Sequence, residues 1–274
     1  MLKTILVHLD GTASDDGRLN AAASVARRFD AHLTGLLVST LPEPQVLSEG
    51  AAAYFADAYE SSRADAVVAA DRLRQTMSAL DIRFDLRTVE CQAGANGQVL
   101  SDAARLADLF VGTRPDQEWS RFAAAEEQVL FRAGRACLLV PPGQPETMRL
   151  DTAMVAWNNT REAARAMAEA IPLLASAQRV IVAMVENGTT PARDSVELGA
   201  DVGRYLSRHG VSVEARRITG FRDVGEALLN EIDMTATQLL VMGAFGHSRF
   251  REWVLGGATR TVLQHARIPV LMAH

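Results

Sequence analysis

The chain has 274 residues, nearly half of them apolar, enough for one large domain or two ordinary ones with a substantial core. A formal net charge of −5 with no basic block argues against a nucleic-acid footprint or an electrostatic membrane anchor. The apolar run Thr4–Leu9 stops at Asp10, too short for a signal peptide, and no later run approaches a membrane span. Cys91 and Cys137 form no CxxC pair and read as reduced structural thiols. A soluble, cytoplasmic protein is expected.

In chain order, the first half reads as five strands alternating with helices. The strands fall near 2–9, 32–38, 83–89, 108–112 and 136–140. A first helix from Asp15 to Arg28 places Leu19, Ala22, Ala23 and Ala26 on one face. A long alanine-rich helix follows the Pro42/Pro44 loop, with Ala66, Ala69, Ala70, Leu73 and Met77 as its inner stripe. The segment Pro141-Pro142-Gly143-Gln144-Pro145 can continue neither helix nor strand and reads as a linker, 142–148. The second half repeats the pattern, with strands near 151–157, 179–185, 211–218, 238–243 and 268–272. Its first helix opens on Thr160 as N-cap and is expected to bury Ala164, Met167, Ala168 and Ile171, with Pro172 tightening its last turn.

The halves match in detail. Leu2–Thr12 answers Leu150–Thr160, with Asp10 facing Asn158, and Leu109-Phe110-Val111-Gly112 answers Leu240-Val241-Met242-Gly243. An internal duplication of this period means two similar domains, 1–141 and 149–274. Alternating strands and helices imply parallel sheets covered on both faces, with ligands beyond the carboxyl ends of the strands.

The richest stretch is Val241–Arg260. An apolar strand meets glycines at 243, 246, 256 and 257, and then a helix runs from Ala258 to His265. Glycines admit close backbone approach, and the free N–H groups of a helix start favour an anion. In the first half, Pro115 stands where the second glycine belongs, and Ala123-Ala124-Ala125-Glu126-Glu127 replaces the distal ones. Proline supplies no N–H, and the two carboxylates repel phosphate, so the first copy is expected to be a degenerate site. The histidines at 8, 32, 209, 247, 265 and 274 show no HxxxH or HExxH spacing, and no P-loop is present.

Two tandem units opening on a strand that ends Asp/Asn-x-Thr resemble the universal stress protein family. So do Gly243-x2-Gly246-x9-Gly256 and the closing Ala266-Arg267-Ile268-Pro269-Val270-Leu271. The resemblance implies two five-stranded Rossmann-like α/β domains. It further implies ATP or another adenine nucleotide in the second as a regulatory ligand. The residues it assigns are Asn158, Val185, Met242, Gly243, Gly246, His247, Gly256, Gly257, Ala258 and Thr259. Gly257 stands where nucleotide-binding members carry Ser or Thr, and Asn158 replaces a carboxylate, which weakens the case for Mg and for hydrolysis more than for binding. No catalytic residue or resident metal is assigned; a scaffold with empty sites and a slow ATPase are the rival readings. The family also pairs domains through the last strand, here Ile268–Met272 with Ala136–Val140, giving a pseudo-dimer within one chain. Homodimer formation and the identity of any protein partner stay open.

Overall fold

The computed structural model describes residues 1–42, 51–114, 123–143, 148–186, 192–245 and 257–274. Among the described residues, ten strands and eight helices follow in order: β1(Thr4–Leu9), α1(Ser14–Phe29), β2(His32–Leu41), α2(Ala51–Ser78), β3(Phe84–Gln92), α3(Asn96–Ala104), β4(Leu109–Thr113), α4(Ala123–Arg132) and β5(Cys137–Val140) come first. The second series is β6(Thr152–Ala156), α5(Arg161–Ser176), β7(Arg179–Val185), α6(Ala192–Arg208), β8(Val213–Ile218), α7(Val224–Thr235), β9(Leu239–Gly243), α8(Gly257–His265) and β10(Val270–Ala273).

Elements β1–β4 with α1–α4 form one compact unit; β5 clusters with β6–β10 and α5–α8 in the other. Strand order in the first is β3-β2-β1-β4, all parallel. In the second it is β5-β10-β9-β6-β7-β8, parallel throughout except that β10 runs antiparallel to β5, with Val270 opposite Leu139 and Met272 opposite Cys137. The two last strands therefore meet edge to edge, as expected of apolar edges that would otherwise be exposed. Each central strand is buried on both faces: Ile5, Leu6 and Val7 in β1, and Ala153, Met154 and Val155 in β6. That is the pattern of a parallel sheet covered by helices on both sides.

Helix α1 buries Leu19, Ala22, Ala23 and Ala26 as the periodicity requires, and α2 buries Ala70, Leu73 and Met77. Helix α5 corrects the expected stripe. It buries Ala163, Ala166, Met167, Ala170, Leu173 and Leu174, whereas Ala164 and Ala168 face solvent. Small alanines on both faces leave the phase ambiguous, and Leu173-Leu174 set it. Thr160 caps α5 by accepting from the Ala163 N–H, and the helix continues past Pro172 to Ser176.

Candidate functional site

In the second unit the strand order reverses between β6 and β9, and the crevice beyond their carboxyl ends is the place where such sheets take ligands. After β6 comes Trp157, whose N–H donates to the Ala183 carbonyl (2.9 Å), and then Asn158. The Asn158 Oδ1 accepts from the Thr160 hydroxyl (2.9 Å). Asn159 between them sits in the left-handed region (φ 56°), which asparagine tolerates through its short polar side chain. The loop after β1 is built alike: Asp10 Oδ1 accepts from the Thr12 N–H and hydroxyl, and Gly11 is left-handed (φ 81°).

Gly243 ends β9 against the start of α5. A Cβ there would lie 2.5 Å from Ala163 N and 2.6 Å from Glu162 C, so close backbone packing alone requires this glycine. Val185 ends β7, and the next residue, Glu186, donates its N–H to the Ile218 carbonyl (2.9 Å) and pairs with Arg217 (3.2 Å). Met242 is buried in β9. Gly257 opens α8 and is exposed, Ala258 is half-buried, and Thr259 is buried in the first turn. Gly246, His247 and Gly256 lie outside the described residues.

The donors present suit an anion at α8. A helix start directs its first N–H groups toward an anion, and among the described residues a Cβ at Gly257 would meet the Asp223 Oδ2, at 3.4 Å. The Trp157 Nε1–H is buried and without a partner, a donor set beside β6 for a polar ligand edge. Two carboxylates modulate the field. Asp223 caps α7 through Oδ1, accepting from the Glu226 N–H at 2.8 Å, while its other oxygen lies toward α8. Glu162 is buried beside Gly243; burial pushes its carboxyl up, but the Arg161 hydrogen bond, a backbone hydrogen bond and the Arg161 and His274 charges together hold it below the usual range. Reading the sequence alone misses Asp223, because it is distant in the chain from the glycine stretch; its only signal is its place as an N-cap.

The same positions in the first unit are filled differently. Thr4 O accepts from Asp108 N as Thr152 O does from Gln238 N, and Val129 O accepts from Ala133 N as Val262 O does from Ala266 N. These pairs fix the equivalences: His8 with Ala156, Gly112 with Met242, Thr113 with Gly243, and Glu126 with Thr259. The expected match of Gly112 with Gly243 is thus displaced by one residue. In a strand, one residue reverses the face. Gly243 faces α5, while Gly112 faces α4, where a Cβ would lie 2.7 Å from the Glu126 Cγ.

At this end of the first unit sits a buried charged cluster. His8 Nδ1–H donates to Glu126 Oε1 (2.7 Å), and the two side chains are 0% and 3% exposed. Arg18, 2% exposed, lies 3.4 Å from the same ring nitrogen and pairs with Asp15 (2.6 Å) and Asp10 (2.8 Å). Asp15 also accepts from the Asp10 and Gly11 N–H groups, tying the β1–α1 loop together. Burial pushes Asp15 up to about 6, against the pull of Arg18. Burial also opposes ionisation of Asp10, but Arg18 and the Thr12 hydrogen bonds win and hold it at about 2. Spacing alone marks His8 as one of several scattered histidines. The available signal is its place in a strand apolar on both faces, where a polar group must find a partner. Likewise Arg18 lies one turn before Ala22 on the buried face of α1, with Asp15 one turn earlier still.

A cleft of about 490 Å³ opens beside this cluster, at the ends of β1 and β2 and under α2. It is lined by Asp10, Gly11, Leu37, Val38, Ser39, Thr40, Ala58, Ser61, Ser62, Asp65, Ala66 and Ala69. Arg72 from α2 donates to the Gly11 carbonyl (2.9 Å), holding that helix over the β1 loop. Among the described residues, no group of His, Cys, Asp and Glu is placed to hold a metal ion, and no helix is long and apolar enough to cross a membrane.

Comparison with known proteins bears on the second unit above all. The model of the universal stress protein family matches residues 150–274. A universal stress protein of Synechocystis sp. is 38% identical over 68 residues, 25% of this chain, and the matched stretch spans only 23% of that protein's length. A universal stress protein from Archaeoglobus fulgidus superposes with a TM-score of 0.76 at 15% identity, over 98% of this chain and 97% of that one. A protein of unknown function from Pseudomonas aeruginosa gives a TM-score of 0.61 at 14% identity, over 99% of this chain and 92% of that one. At such identities the two structures establish a shared fold across the chain. Over residues 150–274, the chain is similar to the universal stress protein family.

Proposed function

We propose that the second unit binds ATP or a related adenine nucleotide as a regulatory ligand in a stress response, without resident catalysis. The observation that carries this reading is the start of α8 at Gly257, directly after the glycine stretch that follows β9, with Thr259 buried in its first turn. There the backbone N–H groups of Gly257, Ala258 and Thr259 would take the phosphates, and Gly246 and Gly256 belong to the same loop by the family pattern. Asn158 and the backbone at Val185 would hold ribose and base; Met242 and His247 complete the assigned set. Asn158 brings no charge to a metal, so Mg would come with the nucleotide. The reading divides the chain into domains at 1–141 and 149–274, and the β5–β10 pairing supports the expected meeting of the last strands within one chain.

The test is labelled-ATP binding to nucleotide-stripped protein. Gly257→Val, which obstructs the helix start, should abolish binding. Asp223→Asn, which removes a repelling carboxylate, should tighten it by about threefold to tenfold. Stripped wild-type protein that binds no ATP would overturn the reading in favour of a scaffold acting through protein partners.

A further inference from the structure

We propose that the Glu126 carboxylate is a built-in occupant of the first unit's copy of the anion site, closing that unit to phosphates with its own side chain. The proposal rests on the nucleotide reading of the second unit, because it takes Thr259 as the mark of a phosphate position. Glu126 stands at the equivalent place, in the first turn of α4, where the free N–H groups of the helix favour a negative group.

Three positions change together. In the second unit they are Ala156, Met242 and Thr259; in the first they are His8, Gly112 and Glu126. Gly112 supplies the room, since any Cβ would lie 2.7 Å from the Glu126 Cγ and 2.9 Å from the Phe110 ring. His8 supplies the donor, at 2.7 Å. At the position equivalent to Gly112, the second unit buries Met242. The exchange of small for large and of neutral for paired charge is what a substituted ligand would require.

The cluster is also short of partners. His8 Nε2, Arg18 Nε and Glu126 Oε2 are buried and unpaired. The Arg18 Nε–H is a donor on a group 2% exposed, left over beside the Asp10 and Asp15 pairs. Removing Glu126 would leave His8 and Arg18 beside a helix start, a donor set fit for a phosphate. With Glu126 present, a phosphate would join the Glu126, Asp10 and Asp15 carboxylates in a water-poor site, and repulsion excludes it.

The experiment uses the full, nucleotide-stripped chain with ATP and inorganic pyrophosphate as probes. Glu126→Thr, which installs the side chain found in the second unit, should raise ATP stoichiometry from about one to about two per chain and make the first unit's melting temperature rise with pyrophosphate. Wild type should show no pyrophosphate-dependent rise in that unit. A folded Glu126→Thr protein with unchanged stoichiometry and no pyrophosphate response overturns the proposal. If the wild type binds no ATP while Glu126→Thr responds to pyrophosphate, the reading of the second unit fails and this one stands. A measurement that needs no variant is the His8 ring nitrogen resonance in the wild type. Saturating ATP should leave it unmoved, and a shift of that resonance on titration overturns the proposal.

Discussion

Gly243→Ala isolates the packing demand at the end of β9. The added Cβ would lie 2.5 Å from Ala163 N, 2.6 Å from Glu162 C and 2.9 Å from Glu162 Cβ. Two of these neighbours are backbone atoms in the first turn of α5, which Thr160 caps and Ala163, Ala166 and Met167 anchor to the sheet. Neither can swing aside as a side chain would, so α5 must move bodily or β9 must bend. Overpacking of this kind costs about 1–3 kcal/mol, and rigid neighbours place this case at the upper end, about 3 kcal/mol. For a unit of this size the corresponding drop is roughly 10 °C in melting temperature. Gly112→Ala provides the contrast, because its closest contact is the Glu126 Cγ, a side chain that can yield. The assay is thermal and urea unfolding followed by tryptophan fluorescence, with far-ultraviolet circular dichroism confirming the fold. The reasoning is refuted if Gly243→Ala unfolds within about 0.5 kcal/mol of the wild type, the range of neutral surface changes.

Two further outcomes follow from the buried cluster. Arg18→Met should destabilise the first unit by about 3–5 kcal/mol, because it strands Asp15 and Asp10 without their cation; a Cm shift in urea worth less than about 1 kcal/mol would contradict this. Stability should also depend on pH in a definite direction. Asp15, raised to about 6, keeps in the native state a proton that the unfolded chain releases; its contribution is full below about pH 4 and is lost as pH rises through about 6. Asp10, held at about 2, acts oppositely, contributing above about pH 4 and losing that contribution as pH falls toward 2. Unfolding midpoints should therefore decline from about pH 4 to about pH 6 by an amount worth on the order of 2 kcal/mol, and Asp15→Asn should flatten that decline; an unchanged slope would show that another group titrates there.

Much of this molecule is written in local pattern. The ten strands, the helices between them and the doubling of the series follow from apolar runs punctuated by Gly, Pro and Asp, because a parallel sheet covered on both faces demands continuous apolar strands. The β1–α1 and β6–α5 loops are equally legible, since Asp10-Gly11-Thr12 and Asn158-Asn159-Thr160 are short-range hydrogen-bonding units. The family pattern likewise resides in residues close in sequence. What sequence alone misjudges is phase and partnership. In α5, alanines on both faces carry too little hydrophobic contrast to fix the rotation of the helix, and Ala164 gives way to Ala163.

Only the tertiary structure decided what each glycine is for. Gly112 and Gly243 look alike in their strands, yet strand register turns one toward α4 and the other toward α5. That register depends on hydrogen bonds to strands far away in the sequence. The pairing of His8 with Glu126 spans 118 positions and leaves no local trace. A buried charge is tolerable only with its partner in place, and that partner is chosen by the fold, not by the neighbouring sequence.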